Sequence, residues 1–284
     1  MKQKRRDGAS HGVSHILTHG FLIVFSITFF IPIFLVIMNS FKNKLYISTA
    51  PFAAPNTESW TGLGNYQEGL LKIHFIDSIG YSLFITVMSV VGIVLFCSMT
   101  AWFITRVKSR LTSFIYYLFV VSMVIPFQMV MYTMTKMANV LHLDNFIGIV
   151  FLYLGFGSGM AVFMFSGFIR TVPVELEESA LIDGCNPLRM FFSVVFPVLK
   201  PISITIAILN AMWIWNDFLL PYLVIGTKYR TVPVAIQYLK SGYGSIDYGH
   251  LMAVIVIALL PIVAFYFACQ KYIIEGIVAG AVKG

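Results

Sequence analysis

The chain has 284 residues, of which 58% are apolar and 11% charged, and a formal net charge of +7. A soluble domain carries roughly a quarter charged residues to keep its surface wet. With a mean hydropathy of +0.86, the composition excludes an ordinary soluble enzyme, a disordered chain and a secreted disulfide scaffold, and indicates an integral membrane protein.

Residues 1–19 form a basic N-terminal segment containing Lys2, Lys4, Arg5 and Arg6. His11, His15 and His19 recur at i, i+4 and i+8 and share one helical face, but a metal site needs further ligands and a rigid frame, so none is assigned. Gly20–Met38 is longer than the apolar core of a signal peptide, about 7–15 residues, and no small-residue cleavage pattern follows it. It reads as the first span. Residues 39–78 make a long connection broken by Pro51, Pro55, Gly62 and Gly64. Tyr66, Leu70, Lys72–His74, Ile76 and Asp77 then predict a short amphipathic helix at the outer interface, either an anchored loop or a docking surface for an external partner.

Five more apolar runs follow: Ile79–Thr105, Phe114–Thr135, Phe146–Ile169, Pro201–Ile225 and Leu251–Cys269. Each is long enough to cross a hydrocarbon core of about 30 Å as a helix. Backbone groups in lipid must be satisfied within the segment, and no ten-residue alternation suggests a barrel. The expected architecture is all-α, with six transmembrane helices in one membrane domain over residues 20–269 and a tail at 270–284. Cys97, Cys185 and Cys269 lack metal or redox spacing and read as reduced thiols.

The basic N-terminus places itself in the cytoplasm by the positive-inside rule. Residues 106–113, 170–200 and the tail then lie inside, with 39–78, 136–145 and 226–250 outside. Lys plus Arg total 12 inside and 7 outside over loops of similar combined length. Both termini are therefore expected in the cytoplasm, in a multi-pass plasma-membrane protein. The positive charge serves orientation, not nucleic-acid binding.

Several chemistries are missing. There is no GxxxxGK[ST] phosphate loop, so ATP hydrolysis in its usual form does not reside here. Gly155, Gly157 and Gly159 fall within the fourth run without a preceding strand, and read as points of close helix approach or as a flexible point in a membrane helix. No loop assembles a nucleophile, base and orienting group. No catalytic residue, metal or bound cofactor is expected.

Residues 170–200 carry the most information. Pro173 suits a helix start, and Glu175, Glu177 and Glu178 complement the positive end of that helix. Gly184 fits the left-handed position after its C-terminus. Asn186 and Pro187 supply the N-cap and first position of a second helix. There Leu188, Phe191, Phe192, Val195 and Phe196 form an apolar stripe. The prediction is a helix–turn–helix against the cytoplasmic ends of the spans. Its spacing, Glu178-Ser179-Ala180, three residues, Gly184, nine residues, then Val194-x-Phe196-Pro197, resembles the EAA motif of ATP-binding-cassette importer permeases, E-A-A-x3-G-x9-I-x-L-P. Ser for Ala, Val for Ile and Phe for Leu are mild departures within an intact register. Asn65-Tyr66 and the Gly/Ala-rich tail from Glu275 to Gly284 resemble the carbohydrate-uptake branch, most of all its maltose-type inner-membrane permease.

That resemblance implies a subunit forming half of a sugar or oligosaccharide pathway, paired with a second homologous permease. Two cytoplasmic ATPase subunits would hold ATP and Mg, and an extracellular solute-binding protein would deliver the sugar. Glu178, Ser179, Ala180, Asp183, Gly184, Asn186, Pro187, Val194, Phe196 and Pro197 would then form the ATPase-coupling hairpin. Import of another polar solute of the same family, such as a glycerol phosphate, is the alternative, followed by ion-coupled secondary transport. Within the spans Asp217 is the only charge. It lies about 24 Å up an ideal helix from Pro201, in company with Asn210, Trp213 and Asn216. It is either an interfacial carboxylate beside an aromatic belt or part of a gate or sugar contact.

Overall fold

The computed structural model describes the backbone of residues 4–226, 228–240 and 246–281, and the side chains of residues 18–226, 228–239 and 246–272. The side chains of His11, His15 and the tail beyond Tyr272 lie outside these bounds. Among the described residues every element is helical apart from an isolated Lys42–Trp60 bridge. The chain divides into two compact units, Met1–Ile73 with Tyr238–Leu260, and His74–Gln237 with Pro261–Gly284.

The first unit holds α1 (Lys4–Asn39), α2 (Lys44–Thr49) and α3 (Gly64–Lys72). From Phe21 to Phe30 the large apolar side chains of α1 are exposed on every side, as suits a helix whose surroundings are lipid or another chain. Beyond it a small cap folds on buried polar contacts. Asn65 Nδ2 donates to the carbonyls of Ser40 and Lys42, both at 2.8 Å, and Lys42 Nζ donates to the Ala50 carbonyl at 3.1 Å. Phe41 stacks on Trp60. The predicted amphipathic helix is found only in part, as α3: Tyr66, Leu70 and Lys72 lie on it, whereas Ile76 and Asp77 belong to the helix that follows. α3 ends at Lys72, with Ile73 as its C-cap and His74 at φ of 50° before the next helix begins.

The second unit is built on α4 (Phe75–Arg106) and α7 (Gly148–Ile169). Buried Ile85, Ser89, Ile93, Cys97 and Ala101 recur every four residues on α4, as do Ile149, Tyr153, Gly157, Ala161 and Phe165 on α7. Matching ridges with small residues let two backbones approach closely. The glycine reading holds at two of three positions. A Cβ at Gly157 would fall 2.5 Å from Ile93 Cδ1, and one at Gly159 would fall 2.7 Å from the Phe119 carbonyl oxygen on α5 (Arg110–Val124). Around Gly155 there is open space.

Two expected spans are not continuous helices. The run Phe114–Thr135 is split into α5 and α6 (Phe127–Val140), bent by 107°. Pro126 is the cause: it holds Ile125 in an extended conformation, with ψ of 117°, because a residue before proline is pushed out of the helical region. After α8 (Glu175–Ile182), α9 (Pro187–Met190), one π-turn (Phe191–Val195) and α10 (Phe196–Val198), the chain bends by 78° into α11 (Lys200–Asn216). The fifth run then breaks at Asp217, and α12 (Leu219–Val224) follows. Next come α13 (Val232–Lys240) and α14 (Tyr248–Ala281). Among the described residues four helices are long and apolar enough to span a membrane, or up to six if each bent pair is one span.

Candidate functional site

The segment between α7 and α11 forms the two short helices and the turn its sequence predicts, with Pro173 just ahead of the first helix and not in its first turn. α8 begins two residues after Pro173, with Glu175, Glu177 and Glu178 in its first turn. Gly184 sits at φ of +78° with open space around it, so the requirement for glycine there is conformational and not steric. Asn186 caps α9 by accepting a hydrogen bond from the Arg189 N–H at 2.8 Å, and Pro187 occupies its first turn.

Two details of the hairpin differ from the sequence reading. The second helix is not a uniform α-helix: the Phe196 N–H bonds the Phe191 carbonyl, giving a π-turn. Pro197, with no N–H, cannot bond the carbonyl four residues earlier, and the ladder slips just before it. The proposed stripe is also divided. Phe191 and Val195 are buried and Phe196 half-buried, whereas Leu188 and Phe192 are exposed.

At the hairpin tip Glu178, Ser179, Asp183 and Gly184 are exposed, and so are Asn186 and Pro187. Exposed apolar side chains accompany them, with Ile182 at 87%, Leu188 at 62% and Leu181 at 56%. Ala180 is buried, Val194 half-buried and Pro197 exposed. The acid that faces inward is Glu177. Its Oε1 accepts from Arg106 Nε at 2.8 Å and its Oε2 from Trp102 Nε1 at 2.9 Å. Arg106 also donates to the Val172 carbonyl at 3.0 Å. Sequence reasoning gave Glu177 only a dipole role and missed this pair. The available signal was Trp102 and Arg106 at i, i+4 on the last turn of an apolar helix.

The second group of candidates separates onto two faces of α11. Asn210, Trp213 and Asp217 turn toward α7. Tyr153 donates from its hydroxyl to Asp217 Oδ2 at 2.9 Å, and its ring meets Trp213 edge to face at 5.5 Å between centroids. The other Asp217 oxygen accepts the Leu219 N–H at 3.0 Å. The carboxylate thus ends one helix and anchors the first turn of the next, where negative charge is favoured. Asn210 is buried at 1% exposure, its amide donating to the Ile206 carbonyl and its oxygen lying without a partner near Gly157. Asn216 lies elsewhere. With Met212 and Trp215 it lines an apolar cleft of about 360 Å³ formed also by α4 and Pro261, Phe265 and Cys269 of α14. Tyr153 is the functional candidate that sequence reading did not single out in this region. Among the described residues no group of three or more His, Cys, Asp or Glu could hold a metal ion.

Residues 93–278 match the family described as binding-protein-dependent transport system inner membrane component. The probable starch degradation products transport system permease protein AmyC of Thermoanaerobacterium thermosulfurigenes is 41% identical, over 88% of this chain and 90% of its own length. The multiple sugar-binding transport system permease protein MsmG of Streptococcus mutans is 36% identical over the same shares. Among solved structures, a bacterial ABC transporter involved in the import of the acidic polysaccharide alginate has a chain that superposes with a TM-score of 0.74 at 21% identity. That match covers 93% of this chain and 97% of that one. At that identity the likeness concerns the fold.

Proposed function

We infer function from the premise that the chain belongs to the family of binding-protein-dependent transport system inner membrane components. The chain is the permease subunit of an ATP-driven importer and forms half of a pathway for a sugar or oligosaccharide. A second homologous permease supplies the other half, an extracellular binding protein delivers the solute, and two cytoplasmic ATPase subunits bind ATP and Mg. α5 with α6 completes one span and α11 with α12 another, giving six, with both termini and the 170–200 hairpin on the cytoplasmic side. Relatives whose names specify starch degradation products, multiple sugars and melibiose, raffinose and stachyose support the substrate class.

The exposed apolar tip of the hairpin carries this reading. Leu181, Ile182 and Leu188 stand clear on a hairpin whose other side is held by Glu177, Phe191 and Val195. An apolar, acidic-edged knob on a rigid base suits a protein socket. ATPase closure moves the knob, and the attached spans switch access as rigid bodies. Farther along α11, Asn210, Trp213 and Asp217, and Asn216 on its other face, are proposed as pathway or gate residues.

Glu178 provides the test. An exposed carboxylate that serves only its helix dipole contributes about 0.3–1 kcal/mol, so Glu178→Gln would then leave uptake unchanged. A carboxylate paired with a basic group across an interface costs about 2–5 kcal/mol when truncated. We expect Glu178→Gln to insert normally, lose sugar uptake in ATP-loaded vesicles and retain less ATPase on co-purification. Full uptake with undiminished co-purification, or uptake driven by an ion gradient without ATP, overturns the reading.

A further inference from the structure

We propose that Glu177, Arg106 and Trp102 form a clasp that fastens the hairpin to the end of α4, making α4 a direct recipient of hairpin motion; this rests on the coupling role proposed above. The chain joins the hairpin covalently only to α7 and α11. The clasp adds a third attachment, to a helix whose end is 71 residues away in sequence. Three parts of the hairpin base meet it. Arg106 holds the segment entering the hairpin through the Val172 carbonyl and α8 through Glu177. Trp102 holds α8 through the same carboxylate, and its ring packs on Phe191 of the π-turn with centroids 5.6 Å apart.

The geometry separates two duties between adjacent acids. Glu178 faces out from the tip, while Glu177 is 7% exposed and has both oxygens engaged by α4. A surface ion pair would let the hairpin swivel. Here a charged bond and an indole bond, backed by aromatic packing, restrain translation and rotation together. Displacement of the hairpin therefore pulls α4, and α4 carries with it the ridge from Ile85 to Ala101 that packs against α7. Glu177 is a positioning residue: it transmits movement and touches no solute.

The clasp is tested in a background with Cys97, Cys185 and Cys269 replaced, assembled with its ATPase and binding protein. Glu177→Gln and Arg106→Gln are each expected to lower sugar transported per ATP hydrolysed by roughly two- to thirtyfold, the range for residues along a coupling route, with ATPase co-purification unchanged. Wild-type transport per ATP in both variants overturns the proposal. A second measurement covers variants that disturb local folding. In an Arg106→Cys, Glu177→Cys protein, a short bifunctional thiol crosslinker replaces the clasp by a covalent link. Recovery of transport per ATP on crosslinking supports one body; no recovery, or a further loss, shows that the hairpin must move relative to α4 and overturns it. Failure of the coupling reading looks different: Glu178→Gln then alters neither uptake nor co-purification, whatever the clasp variants do.

Discussion

At Gly184 a single backbone angle decides what the hairpin tolerates. A Cβ there meets nothing within 4 Å, yet φ is +78°, a region costing an ordinary L-residue roughly 1–2 kcal/mol and a β-branched one more. Gly184→Val is expected to reach the membrane at normal levels and to abolish uptake, because the turn between α8 and α9 reopens. Gly184→Asn, whose short side chain tolerates left-handed geometry, is expected to keep most activity. Equal uptake by Val and wild type would remove the turn from the coupling role. Gly184, Asn186 and Pro187 were legible from sequence because caps and turns are determined by neighbours within a few residues. Glu177 was not, since the groups that bury it, Trp102 and Arg106, lie 75 and 71 positions earlier. Its neighbour Glu178 has the same chemistry, and only the direction of the side chain distinguishes them.

At the scale of the helix, the glycines of α7 form a graded series. Gly155 has open space, so Gly155→Ala is expected to stabilise slightly, by about 0.5–1 kcal/mol, through helix propensity. A Cβ at Gly157 meets Ile93 Cδ1, the far end of a movable side chain, but also Asn210 Oδ1 at 2.8 Å. Gly159→Ala presses on the Phe119 carbonyl, which is backbone and cannot rotate away. Overpacking costs about 1–3 kcal/mol, and the loss is expected to be largest at Gly159. Thermal unfolding of the purified variants in detergent measures the order; Gly155→Ala less stable than Gly159→Ala would contradict the packing. Composition marked these residues as contact glycines without showing which faced a neighbour. The broken helices were hidden for a related reason. Hydropathy continues across Ile125-Pro126 and Asp217-Phe218, so a lipid-compatible run looks unbroken, although Pro126 and the carboxylate that captures the Leu219 N–H were both in view.

For the molecule as a whole, the coupling scheme requires that the hairpin face the cytoplasm, and Cys185 reports on that directly. It follows Gly184 in the turn and is half-buried, whereas Cys97 is buried in α4. With Cys97 and Cys269 replaced, Cys185 is the single thiol left in the chain. A charged maleimide added to intact cells is expected to leave it unmodified, and the same reagent is expected to label it once the cells are opened. Because the hairpin tip is also the proposed ATPase socket contact, labelling in opened cells should be slower when the ATPase is present than when the permease is expressed alone. The two comparisons test separate links. Labelling from outside overturns the orientation, and the cytoplasmic docking with it. Inside labelling that is indifferent to the ATPase keeps the orientation but removes this turn from the contact. In that case the exposed Leu181, Ile182 and Leu188 would require a different partner, since apolar side chains at the end of a hairpin anchored on its other side gain nothing from water.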